Sequence, residues 1–162
     1  MNPPGVVVIF DCVNGRTERL AGIAAVGAVQ ARARIRLRRI GDSAGQAADG
    51  SELARMRRGY IPPSRTDIAW ADAVVVAGPP EPNGDWSDLF AILEAAAAAG
   101  ELDPKAVVVL DCTPAELRTA FEALPWAVLP GPRLEGAAGH RALVDGRRAG
   151  MAASGSHPAF PD

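Results

Sequence analysis

The stretch Ala73-Val-Val-Val-Ala-Gly-Pro-Pro-Glu-Pro-Asn-Gly-Asp-Trp-Ser-Asp-Leu-Phe90 decides how this chain is read. Its first five residues are apolar without a break, too few for a helix and rich in Val. A strand buried on both faces of a parallel sheet reads this way. The run stops at Gly78-Pro79-Pro80 and stays irregular through Asn83-Gly84. Asp85 then offers an N-cap, and Trp86, Leu89, Phe90 and Leu93 make one apolar helical stripe. A strand, a stiff Pro/Gly loop and a helix N-terminus in that order form the kind of place where open α/β sheets bind ligands.

Two more runs, Val6–Phe10 and Ala106–Leu110, have the same buried-strand character. Arg34-Ile-Arg-Leu-Arg-Arg39 alternates instead, which predicts a sheet edge with one wet, charged face. A helix from Thr17 to about Ala31 joins the first two strands, with Leu20, Ile23, Ala24 and Gly27 on one face. Residues 41–66 read as a linker holding one short helical piece around Ser51–Arg58; a linker of that length is often functional or part of an interface. The helix after Ala73–Ala77 ends at Gly100, a suitable C′ residue. Thr113-Pro-Ala-Glu116 has the form of a helix start, with Thr as cap, Pro in the first position and Glu closing a capping box. Leu117, Phe121 and Leu124 line that helix's buried face, and Pro125 ends it. Ala127–Leu129 is a short last strand, and residues 139–150 form a weak final helix damaged by Gly146. A single domain over residues 1–153 is then followed by a tail, 154–162.

Five strands alternating with helices predict an α/β doubly wound parallel sheet. An edge strand in second place supports the order 2-1-3-4-5, the flavodoxin-like arrangement.

The totals narrow the function classes. A chain of 162 residues is long enough for a proper core without staples. A net charge of −2 and a pI near 5.7 give no basic field for nucleic acid. No apolar stretch reaches the length of a membrane span, and Met1-Asn-Pro-Pro-Gly5 lacks a signal-peptide pattern. Two cysteines cannot build a disulfide framework, so the expectation is a cytoplasmic protein. Of the 17 basic residues only Lys105 is lysine.

The loop after Ala77, with Gly78, Pro80, Gly84 and Ser87, resembles the second flavin loop of the flavodoxin-like NAD(P)H:quinone oxidoreductases. These are the tryptophan-repressor-binding-protein type, in the NADPH-dependent FMN reductase family. Ala25-Val-Gly-Ala28 in the first helix and Gly100-Glu-Leu-Asp-Pro-Lys105 before the fourth strand fit the same pattern. The resemblance implies FMN as cofactor, NAD(P)H as co-substrate and two-electron reduction of a quinone, with no side chain as catalytic acid or base. It implies a homodimer or homotetramer, for which the 41–66 segment with Tyr60 and Trp70 offers contact surface. It places the flavin phosphate on a first loop of Cys12, Val13, Asn14, Gly15, Arg16 and Thr17. The ring lies between a second loop of Pro80, Glu81, Pro82, Asn83 and Gly84 and a third of Cys112, Thr113 and Pro114. Departures from the family are visible in each loop. Cys12 stands where a hydroxyl residue is usual, with Asp11 before it, and a carboxylate beside a phosphate costs binding unless it is paired or turned away. Pro82 and Asn83 replace a basic and an aromatic residue, and the third loop has no glycine. A flavin-free flavodoxin-like binding or structural module is therefore the alternative.

Other chemistries find less support. Asp11-Cys12 and Asp111-Cys112 end strands two places apart, roughly 9.6 Å at ~4.8 Å per strand. That exceeds disulfide reach and predicts free thiols. Neither cysteine has both the Arg and the Gly-rich nest of a phosphatase loop. Val13 stands where an aspartyl-phosphate enzyme would carry a second Asp. His140 and His157 have no ligand partner at metal-binding spacing, so no metal site is expected. Trp70 and Trp86 read as core or interface anchors, and the arginines of 32–39 as a solvated strand face.

Overall fold

A computed structural model describes residues 2–11, 15–41, 54–55, 58–78, 86–100, 105–110, 115–124, 126–128 and 138–155. The strands are β1 (Gly5–Phe10), β2 (Arg34–Arg39), β3 (Ala73–Ala77), β4 (Ala106–Val109) and β5 (Ala127–Val128). The helices are α1 (Arg16–Gln30), α2 (Arg65–Trp70), α3 (Ser87–Ala98), α4 (Ala115–Glu122) and α5 (Ala138–Ala153).

Every strand pairing is parallel. Val6–Phe10 runs in register with Ile35–Arg39 on one side and with Ala73–Ala77 on the other, and Ala73–Val76 pairs with Ala106–Val109. The order β2-β1-β3-β4 is the one the sequence predicts. In the fifth position β5 lies on β4, set by Ala106–Ala127 and Val107–Val128. Leu129 lies outside the described residues.

The run Val6–Phe10 is wholly buried because both of its faces are covered. Val6, Val8 and Phe10 point at α1 and α5, through Ala21, Ala24, Ala25, Ala28 and Ala149. Val7 and Ile9 point the other way, with Val74, Val76, Val107 and Val109, onto Ile68 of α2, Leu89 and Leu93 of α3, and Phe121 of α4. At ~25 cal/mol per Å² of apolar area, burial of such side chains stabilises by about 1.5–3 kcal/mol each before entropy is counted.

Three expectations need correction. The arginine face of β2 is only partly wet: Arg34 is exposed and Arg36 half-buried. Arg36 and Arg38 turn onto α2, where Asp67 accepts Arg38 Nε and Nη2 at 2.8 Å each and Arg36 Nη1 at 3.1 Å. Arg36 also stacks on Trp70, 4.1 Å from the ring centroid. The helix α2 itself falls in and beyond what reads as linker. Its signal is Ser64-x-x-Asp67, a capping box in which the Ser64 side chain accepts from Asp67 N–H and Asp67 returns to the Ser64 N–H. A six-residue helix has too few turns to show apolar periodicity.

The third correction is α5, which runs 16 residues with Gly146 inside it. A Cβ on Gly146 would sit 1.7 Å from the Ala24 carbonyl oxygen, and one on Gly150 would sit 2.8 Å from Ala31 Cβ. Glycine is what lets the two backbones meet here, so Gly146 is a packing device rather than damage. Because Gly146 meets Ala24 and Gly150 meets Ala28 and Ala31, the helices run parallel. The first turns of α1 and α5 therefore lie toward the same end of the molecule.

Candidate functional site

The carboxyl ends of the strands are tied together one residue beyond the strands themselves. Asp11 N–H donates to Ala77 O at 3.0 Å, Leu110 N–H to Val76 O at 2.9 Å, and Ile40 N–H to Phe10 O at 2.8 Å. From this edge β1 leads into residues 12–14 and α1, and β3 leads through Gly78 to the loop before α3. Since β1 connects outward to β2 and β3 onward to β4, the switch in strand order lies between them, where an open sheet leaves a crevice.

At the foot of the crevice α1 begins without a side-chain cap. Gly15 is its N-cap at φ 80°, ψ −10°, a left-handed conformation that glycine adopts without strain. Gly15 O accepts from Arg19 N–H at 3.0 Å, closing the first turn. Arg16 is exposed and Thr17 is buried, so Thr17 does not face solvent. Among the described residues the Thr17 hydroxyl has no hydrogen-bond partner. The first backbone N–H groups of a helix have no intrahelical acceptor and carry the positive end of its dipole, so this turn suits an anion.

Two carboxylates flank the turn, and both are engaged. Asp11, fully buried, accepts the Trp86 indole N–H at 3.2 Å, a link from the end of β1 to the start of α3. Glu18 accepts Arg55 Nη2 at 2.5 Å, Arg55 Nη1 at 3.1 Å and the Tyr60 hydroxyl at 2.6 Å. The Arg55 hydrogen bonds, helped by Tyr60, hold the Glu18 carboxyl below its ordinary value of 4.5 against the opposing effect of burial. Tyr60 meets Phe10 edge-on, with ring centroids 5.0 Å apart. The segment between β2 and α2 is thus fastened to the first turn of α1 and the end of β1. Sequence reasoning missed Arg55, Tyr60 and Trp86 as neighbours of this turn. The only signal available was the length of the linker.

Of the residues expected to bind a flavin, the structure places Gly15, Arg16 and Thr17 together on the first turn of α1. Cys12, Val13, Asn14, Pro80, Glu81, Pro82, Asn83, Gly84, Cys112, Thr113 and Pro114 lie outside the described residues, as does His157. The N-cap of α3 is Trp86 rather than the expected Asp85. His140 falls in the first turn of α5. Arg118 of α4 donates to Val109 O at 3.2 Å at the end of β4. Among the described residues no group of three His, Cys, Asp or Glu could hold a metal ion, and no helix is long and apolar enough to cross a membrane.

No family model and no curated protein matches the sequence. Solved structures do match the fold over nearly the whole chain. A diflavin flavoprotein A3 from Nostoc sp. superposes with a TM-score of 0.56 at 16% identity, covering 96% of this chain and 97% of that one. The flavodoxin of Streptococcus pneumonia TIGR4 gives 0.57 at 14%, covering 91% and 98%. A flavodoxin-like domain from Synechococcus sp. gives 0.51 at 16%, covering 90% and 96%. The fold is therefore flavodoxin-like, a parallel sheet between two helical layers.

Proposed function

We propose that this flavodoxin-like chain binds FMN and acts as an NAD(P)H:quinone oxidoreductase. The observation that carries the reading is the first turn of α1. It has a glycine N-cap in the left-handed conformation, no side-chain cap, and a hydroxyl without a partner among the described residues, all at the switch point of the sheet. The names of the structural neighbours, two of them a flavodoxin and a flavoprotein, support the same ligand.

In this reading the flavin phosphate would be held by the backbone of Gly15 to Thr17, the Thr17 hydroxyl and the Arg16 guanidinium. The Arg55 guanidinium offsets the charge of Glu18, whereas the indole N–H that Asp11 accepts is neutral, so the Asp11 carboxylate still counts against a phosphate here. Bound FMN supplies the two-electron chemistry that passes a hydride from NAD(P)H to a quinone. The chain's own contribution is to orient the ligand on α1 and to keep the two loop roots at a fixed distance through Asp11 and Trp86. We propose a homodimer or larger assembly with it, supported by Val26 and Val29, which stand exposed on α1.

One observation favours the flavin-free reading. Glu18 already places a carboxylate in the first turn of α1, where it interacts favourably with the helix dipole in place of a ligand. Titration of FMN with the purified protein separates the two. Quenching of flavin fluorescence, and a yellow protein absorbing near 450 nm, are expected. No quenching near millimolar protein sinks the FMN reading. Binding without NAD(P)H-dependent quinone reduction sinks the reductase reading alone.

A further inference from the structure

A cavity lies between the end of β2, the Pro62–Pro63 segment and the first two turns of α3. Its volume is about 310 Å³, room for about ten water-sized groups at ~30 Å³ each. It is lined by Ile40 and Leu89, both buried in the core, and by Gly41, Pro62, Pro63 and Ile92. The one charged side chain among the lining residues is Asp88, exposed at the mouth. Among the described residues no hydrogen bond or ion pair holds its carboxylate.

We infer that this cavity binds a small apolar molecule carrying one ammonium group, with the apolar body between the proline rings and Ile92 and the cation at Asp88. The size and the mainly apolar lining with one charged side chain suit a small-molecule site. Two successive prolines fix their own φ angles, and Leu89 is held in the core. The sign of the charge sets the ligand class. A carboxylate at the mouth repels anions, leaves neutral molecules indifferent and attracts cations, more strongly where apolar walls exclude water. Nothing in this inference depends on FMN binding.

The test uses the full chain and three probes of one shape: 2-phenylethylammonium, 2-phenylethanol and 3-phenylpropionate, followed by ligand-observed NMR. The ammonium should bind in the millimolar range or tighter, the alcohol roughly fivefold more weakly, as befits a partly exposed ion pair, and the carboxylate not measurably. Asp88→Asn should erase the preference for the ammonium and leave the alcohol unchanged. Ile92→Phe should fill the cavity and abolish binding of both. Thermal melts of the variants show whether each remains folded, and Asp88→Ser replaces Asp88→Asn if it does not. Equal affinity for ammonium and alcohol in the wild type overturns the proposal. So does absence of ammonium binding up to ~10 mM, or binding that survives Ile92→Phe.

Discussion

Gly146→Ala adds one methyl group to a helix, and helical propensity alone says it should stabilise by about 1 kcal/mol. The structure says the opposite. The new Cβ would lie 1.7 Å from Ala24 O, 2.5 Å from Ala24 C and 2.7 Å from Ala24 Cα. Ordinary contact begins near 3.4 Å, and the obstructing atoms are backbone, which cannot rotate away. The helices must part by roughly 1.5 Å, loosening the contacts of Ala24, Ala28 and Ala149, which are now fully buried. Overpacking of this kind costs about 1–3 kcal/mol and occasionally more. With backbone as the obstacle we expect the upper end, a net loss of about 2 kcal/mol after the gain in propensity. For a domain of this size that lowers Tm by roughly 4–8 °C. Gly22→Ala is the control, because it lies in α1 with nothing within 4 Å of the added Cβ. It should hold or raise Tm. Calorimetry or a circular-dichroism melt of both variants decides. If Gly146→Ala melts at or above the wild type, the close approach of α1 and α5 is wrong.

Gly15→Val should abolish FMN quenching, since a β-branched residue at φ 80° is strained and its side chain blocks approach to the turn; unchanged affinity removes the phosphate from this site. Asp67→Ala takes the partner from Arg38 and Arg36 and breaks the capping box of α2, so a loss of about 3–5 kcal/mol in urea unfolding is expected. Burial, the largest influence on Asp67, pushes its carboxyl up, but Arg38 and Ser64 outweigh it and hold it below the ordinary 3.8. Glu18 is likewise held below 4.5. A depressed carboxyl contributes stability that is complete above its unfolded value and is lost as pH falls through its folded one. Urea midpoints should therefore be flat above about pH 5 and decline below about pH 4, and Asp67→Asn should flatten that decline. Trp86→Phe leaves the Asp11 carboxylate without its indole donor and should cost about 1–3 kcal/mol in the same assay.

The strands were legible because burial on both faces leaves an uninterrupted apolar signature, as in Val6–Phe10 and Ala73–Ala77. The edge position of β2 was legible from its alternation, but the fate of its charged face was not. Arginines turned to solvent and arginines turned onto Asp67 and Trp70 spell the same pattern, and only the position of α2 tells them apart. Gly146 was misread for a related reason. Propensity is a property of one helix, whereas the close approach belongs to two, and Ala24 stands far away in sequence. In the candidate site, strand–loop–helix order located the loop before α1, and the family resemblance singled out Gly15–Thr17 within it. The fastening of Glu18 by Arg55 and Tyr60 joins residues 37 and 42 positions apart, beyond any local motif.

The β2 border of the sheet has a consequence for assembly. A bare strand edge is an invitation to pair with another chain and grow into fibrils. β2 carries four arginines among its six residues, and Arg39 N–H donates to Ile61 O of the passing chain. That border does not lend itself to adding a foreign strand, so self-association through β2 is discouraged.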